Sequence, residues 1–96
     1  MLLEFIPANF VLVSEVYYSL PFRIETKDTL MSVEVTLNSI GSVTIQSSIN
    51  GSNFYDVEGS SFTCNASNLQ SYIDCQPELL YRLKSPVQFL SAKILI

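Results

Sequence analysis

The sequence predicts an all-β protein folded as an antiparallel β-sandwich, and three observations carry that prediction. Apolar residues recur with a period of two in several short stretches, while no stretch holds a 3.6-residue apolar period. Turn signals built on Gly, Asn, Pro and Ser separate those stretches at close intervals. Hydrophobic residues make up 48% of the chain and charged residues 15%, which excludes a disordered polymer. The 96 residues are enough for a single domain, residues 1–96, with one core. About seven to nine short strands fit this length and spacing.

The chain opens on an apolar run, Leu2–Ile6, which reads as a terminal strand. Glu4, Pro7 and Asn9 interrupt it and no basic residue leads it, so it does not read as a signal peptide. Phe10-Val11-Leu12-Val13 and Val16-Tyr17-Tyr18 follow as strands. In Leu20-Pro21-Phe22-Arg23-Ile24-Glu25, residues Leu20, Phe22 and Ile24 share a face, and Pro21 marks an edge or a strand start. The clearest strand is Met31–Leu37, with Met31, Val33, Val35 and Leu37 inward and Ser32, Glu34 and Thr36 outward. The turn Asn38-Ser39-Ile40-Gly41 is expected to use Gly41 at positive φ. It leads to Ser42–Ile49, with Val43, Ile45 and Ile49 inward.

Asn50-Gly51 is the strongest turn signal in the chain. Asn53–Val57 returns from it as a short strand, and Glu58-Gly59-Ser60-Ser61 turns again. Phe62–Cys64 and Ser71–Cys75 read as strands joined by a polar link over 65–70. Leu79–Lys84 forms a strand that Pro86 stops, and Ser91–Ile96 forms the last. Both terminal strands are apolar. One of them is expected to pair with a neighbouring subunit, the alternative being that both pair within one sheet.

Little of this sequence can do chemistry. It contains no His, which removes a His general base, a Ser-His-Asp triad and a His metal site. Five basic residues against nine acidic ones give a net charge of −4, too little positive charge for a nucleic-acid binder. No 18-residue apolar stretch exists, so no membrane insertion is expected. Asp56 and Glu58 form the one close acidic pair near a loop, and read as a solvated turn rather than a Ca²⁺ site. Cys64 and Cys75 form either one bridge or two free thiols, and without CxxC spacing or a His partner they read as buried small side chains and not as a nucleophile. Asn50-Gly51-Ser52 and Asn65-Ala66-Ser67 match the glycosylation acceptor pattern but read as polar turns. The three glycines are spaced as turns, not as a phosphate cradle. The expectation is a protein without catalytic residues, metal or cofactor.

The candidate contact residues are aromatic and turn residues. Tyr17-Tyr18 and Phe54-Tyr55 are adjacent pairs, so on a strand one ring of each faces the core and one faces out. Outward tyrosines suit a protein- or sugar-binding platform. Arg82 is expected to stack on a ring or to pair with Glu34 or Glu25 across a sheet.

The segment Ile45–Val57 carries a resemblance. Ser48, Asn50, Gly51 and Phe54 match an S-x-[D/N]-G-x-x-[F/W] hairpin, which resembles that of discoidin-like β-sandwiches and of small structural proteins of tailed bacteriophages. Leu80–Lys84 and Ser91–Ile96 look like the closing strand pair of the same domains. The resemblance covers about half the chain and implies a jelly-roll or Ig/discoidin-like sandwich. It further implies a virion component, such as a capsid decoration, collar, fibre or tail subunit, assembled in the host cytoplasm. Its partners would be copies of itself and other virion proteins. The alternative is a small module binding a surface glycan. In either case Tyr17, Tyr18, Asn50, Asn53, Tyr55 and Asp56 are the candidate binding residues.

Overall fold

The computed structural model describes residues 2–24 and 29–96, with side chains over the same ranges except at positions 29 and 71–74. Among the described residues there are eleven strands: β1 (Leu2–Phe5), β2 (Phe10–Val13), β3 (Val16–Ser19), β4 (Phe22–Arg23), β5 (Thr29–Leu37), β6 (Gly41–Ser48), β7 (Tyr55–Asp56), β8 (Phe62–Cys64), β9 (Ser67–Cys75), β10 (Leu80–Ser85) and β11 (Phe89–Leu95). A single 3₁₀ turn, Pro7–Asn9, separates β1 from β2.

Two antiparallel sheets result. Sheet 1 has the order β1-β11-β5-β9. Sheet 2 has the order β2-β3-β10-β6-β7, with β4 also beside β10 and β8 also beside β6. The short strands β3 and β4 therefore occupy one column, and β7 and β8 another. Counting each broken column once leaves nine, four in sheet 1 and five in sheet 2.

Serine hydroxyls bridge both breaks. Pro21 has no N–H to give to the ladder. Opposite that gap the Ser19 hydroxyl accepts from the Leu83 amide (2.9 Å), so a buried backbone donor is satisfied. Between β7 and β8 the Ser60 hydroxyl accepts from the Ile45 amide (3.1 Å) and donates to the Val57 carbonyl (2.7 Å). Both serines are buried.

The alternation read from the sequence places the core. Met31, Val33, Val35 and Leu37 of β5 are buried, as are Ala92 and Ile94 of β11. They face Val43 and Ile45 of β6 and Tyr81 and Leu83 of β10. An aromatic cluster joins the sheets: Phe5 meets Phe10 and Phe22 edge-on at 6.0 and 5.9 Å, and Phe10 stacks on Phe89 at 4.4 Å. Cys64 and Cys75 are buried thiols, and burial pushes the Cys64 thiol above its ordinary pKa.

Several expectations are corrected. Ile49 is 84% exposed, because β6 ends at Ser48 and Ile49 belongs to the turn. Leu20 is exposed, since it lies in the break before β4, whereas Phe22 and Ile24 are buried. Gly41 does not use a positive φ; it is the first residue of β6. A β-carbon there would lie 2.5 Å from Val87 Cγ2, so the glycine is needed for close packing. The link over 65–70 is largely strand, because β9 begins at Ser67. Its polar residues suit an edge strand of sheet 1. The two termini pair with each other, Leu2 opposite Leu95 and Phe5 opposite Ala92, so β11 is an interior strand and β1 an edge. Glu25 lies outside the described residues.

Candidate functional site

The outer face of sheet 2 carries a connected polar cluster. Alternation along β10 turns Tyr81 and Leu83 inward and leaves Arg82 and Lys84 outward, both half-buried. Register places Arg82 opposite Gln46, Gln46 opposite Asp56, and Lys84 opposite Tyr18. The Arg82 guanidinium lies between two rings, 4.1 Å from the centre of Tyr18 and 4.0 Å from that of Phe54. Stacking of this kind contributes about 0.5–2 kcal/mol per ring, more as water is excluded. Arg82 Nε donates to Gln46 Oε1 (2.8 Å). Gln46 Nε2 donates to Asp56 Oδ1 (2.9 Å). Lys84 Nζ reaches the same carboxylate at 2.8 Å.

Electrostatics follow this geometry. The hydrogen bond from Lys84, then that from Gln46, holds the Asp56 carboxyl below the usual carboxylate range. Desolvation lowers the Arg82 pKa, and the neighbouring Tyr18 opposes that shift. The predicted stack of Arg82 is present. Its alternative pairing with Glu34 is not, because Glu34 lies on the outer face of the other sheet. Asp56 and Glu58 form no acidic site: Asp56 is held by Lys84 and Gln46, and Glu58 sits exposed in the turn.

The hairpin after β6 forms a second feature. Asn50 Oδ1 accepts from the Ser52 and Asn53 amides (2.9 and 3.0 Å) and from the Ser48 hydroxyl (3.1 Å), an Asx-type turn. Ser48 Oγ in turn accepts from the Gly51 amide, and Gly51 takes φ +80°. Beside this turn is an open cavity of about 470 Å³, lined by Ser47, Asn50, Asn53, Tyr55 and Leu79 among others. Tyr55 is 70% exposed at its wall. The Asn50 side-chain oxygen is spent on the turn, which leaves only its Nδ2 hydrogens for a ligand.

The six candidate residues therefore divide. Asn50, Asn53 and Tyr55 come together at the hairpin cavity. Tyr18 and Asp56 join through Arg82, Gln46 and Lys84. Tyr17 belongs to neither group, since its half-buried ring packs against the core. Sequence reading did not find Gln46 or Phe54 as the partners of Arg82. Alternation could place Arg82 outward, but its neighbours depend on the register of β6, β7 and β10.

Exposed aliphatic side chains concentrate in two further places. Val11, Leu12 and Val13 of β2, an edge strand of sheet 2, are 48%, 55% and 53% exposed. On the outer face of sheet 1, Leu2, Leu69 and Leu95 are exposed around a depression of about 250 Å³ that Ser32, Glu34 and Lys93 also line. The row Glu4–Lys93–Glu34–Leu69 crosses all four strands of that face.

Among the described residues, no group of three or more His, Cys, Asp or Glu is placed to hold a metal ion. No helix there is long and apolar enough to cross a membrane. No protein-family model matches the sequence, and none of the curated proteins or solved structures compared with it is a significant match. Function must be argued from the surface of the chain itself.

Proposed function

We propose that this chain is a non-enzymatic structural subunit of a tailed-bacteriophage virion: a capsid decoration, collar, fibre or tail component. It acts by contact, through a β-edge and apolar outer faces, with copies of itself and with other virion proteins. The observation that carries this reading is β2. Its sequence, Phe10-Val11-Leu12-Val13, has no Lys, no Pro and no charge, and its three exposed side chains are all aliphatic. Monomers ordinarily blunt such an edge with charge, Pro or a bulge. Fully burying one Val or Leu contributes about 1.5–3 kcal/mol, so several half-exposed ones against a neighbour offset much of the cost of association.

The hairpin resemblance supplies the virion part of the reading, and detection of the chain by mass spectrometry in purified phage particles tests that part. The contact mechanism is tested by replacing Val11 and Val13 with Lys. We expect the double variant to keep its fold and to associate at least tenfold more weakly in sedimentation equilibrium. Unchanged association would remove β2 from the mechanism.

A second reading, a glycan-binding module, is favoured by the cavity beside Asn50, Asn53 and Tyr55. It requires a stable monomer and a positive signal on a glycan array.

A further inference from the structure

Arg82 is a tightly organised charged group on the surface, and no described carboxylate pairs with it. Its guanidinium carbon lies over two rings, Tyr18 and Phe54, and its Nε is fixed by Gln46. Gln46 is itself anchored to Asp56, and Asp56 to Lys84. The one carboxylate in this cluster is thus committed to the lysine. No described group takes a hydrogen from either Arg82 Nη. Since no buried side-chain polar atom among the described residues lacks a partner, those Nη groups reach water. A planar fork of donors, anchored by two rings and one hydrogen bond, is matched to the two oxygens of a carboxylate. Holding it still in advance lowers the entropic cost of binding.

Charge is distributed unevenly over the sandwich. Arg23, Arg82 and Lys84, three of the five basic residues, belong to adjoining strands β4 and β10 of sheet 2. The opposite outer face, on sheet 1, presents Glu4 and Glu34 on either side of Lys93. Among the described residues the one ion pair is Lys84–Asp56, so neither glutamate is paired. Glu34 lies on the interior strand β5, at the wall of the depression ringed by Leu2, Leu69 and Leu95. One face therefore carries a clamped arginine whose nearest carboxylate, Asp56, is held by Lys84, and the other carries Glu34, which makes no ion pair with the cross-strand Lys93, set among aliphatic side chains.

We propose that the outer face of sheet 2 docks onto the outer face of sheet 1 of a second copy, with Arg82 of one copy binding Glu34 of the next. This rests on the reading of the chain as an assembly subunit and deepens it. The two faces lie on opposite sides of the sandwich, so the contact is head-to-tail. Such a contact continues from copy to copy, into a ring if the rotation closes and a stack if it does not.

The test uses two full-length variants, Arg82→Glu and Glu34→Arg, each verified as folded by near-UV circular dichroism of its tyrosines. Each is studied alone and in equimolar mixture by sedimentation velocity. Alone, each places like charges at the contact and should associate at least tenfold more weakly than the unmodified chain. Mixed, both contacts become complementary. The glutamate introduced at position 82 of one variant faces the arginine introduced at position 34 of the other, and the native pair forms at the alternate contacts. The mixture should recover assembly in an alternating order. A third variant, Tyr18→Leu, keeps the Arg82 charge but removes one wall of the clamp, and should weaken association in the same direction. The proposal is overturned if both single variants associate like the unmodified chain, in which case assembly by other surfaces still stands. It is also overturned if the mixture is no better than its parts. An unmodified chain that stays monomeric at every concentration overturns the pairing and the assembly reading together.

Discussion

Gly41 and Asp56 mark two ways in which single residues hold this sandwich. At Gly41 the constraint is space: an added β-carbon would meet Val87 at 2.5 and 2.9 Å. Gly41→Ala must push the β6 start away from the loop before β11, and should cost about 1–3 kcal/mol in chemical denaturation. At Asp56 the constraint is charge. Its folded pKa is depressed, so the unfolded chain binds its proton more readily. The contribution is complete above the ordinary carboxylate range and is lost as pH falls through the folded value. The Lys84–Asp56 pair is well exposed, so this acid-side loss should stay below about 1 kcal/mol. Denaturation midpoints measured from neutral pH downward should show it, and Asp56→Asn should flatten that part of the profile.

The elements divide by how much of their order comes from their own residues. Strands β5 and β10 carry a strict inward–outward alternation, which in β5 placed Met31, Val33, Val35 and Leu37 inward from the sequence, whereas β11 is interrupted by a register shift between Phe89 and Ser91. The turns at Asn50-Gly51 and Gly59 were legible because Gly takes a positive φ at no steric cost. Three other positive-φ positions, Ser14, Glu15 and Ala66, gave no such signal, because their residue types do not favour it. The broken columns were equally hidden, since a serine that stands in for a ladder partner looks in sequence like any polar turn residue. So was the Arg82 clamp, whose rings come from β3 and from the loop before β7, elements 64 and 28 residues before it in the chain. The hairpin joining β2 to β3 follows directly from this. Glu15 sits at φ 69° in a two-residue turn that prefers Gly there. Glu15→Gly should raise stability by about 0.5–1 kcal/mol, read as a higher denaturation midpoint with unchanged slope.

At the scale of the whole molecule, core and surface make opposite demands. Among the described residues the inner faces of both sheets are satisfied: the buried hydrophobic side chains form one cluster and no buried side-chain polar atom lacks a partner. The surface is not. An aliphatic edge at β2, leucines on the outer face of sheet 1 and a clamped arginine opposite them remain exposed in the single chain. Apolar patches of this kind in a folded protein mark places where other molecules bind. We propose that those molecules include further copies of this chain. The most direct test is the absolute mass of the purified protein by light scattering across a concentration series, against a protomer of 10.8 kDa. We expect a defined multimer, or a mass that grows with concentration and falls with added salt as the charged contact is screened. A mass that stays at one protomer throughout would contradict it.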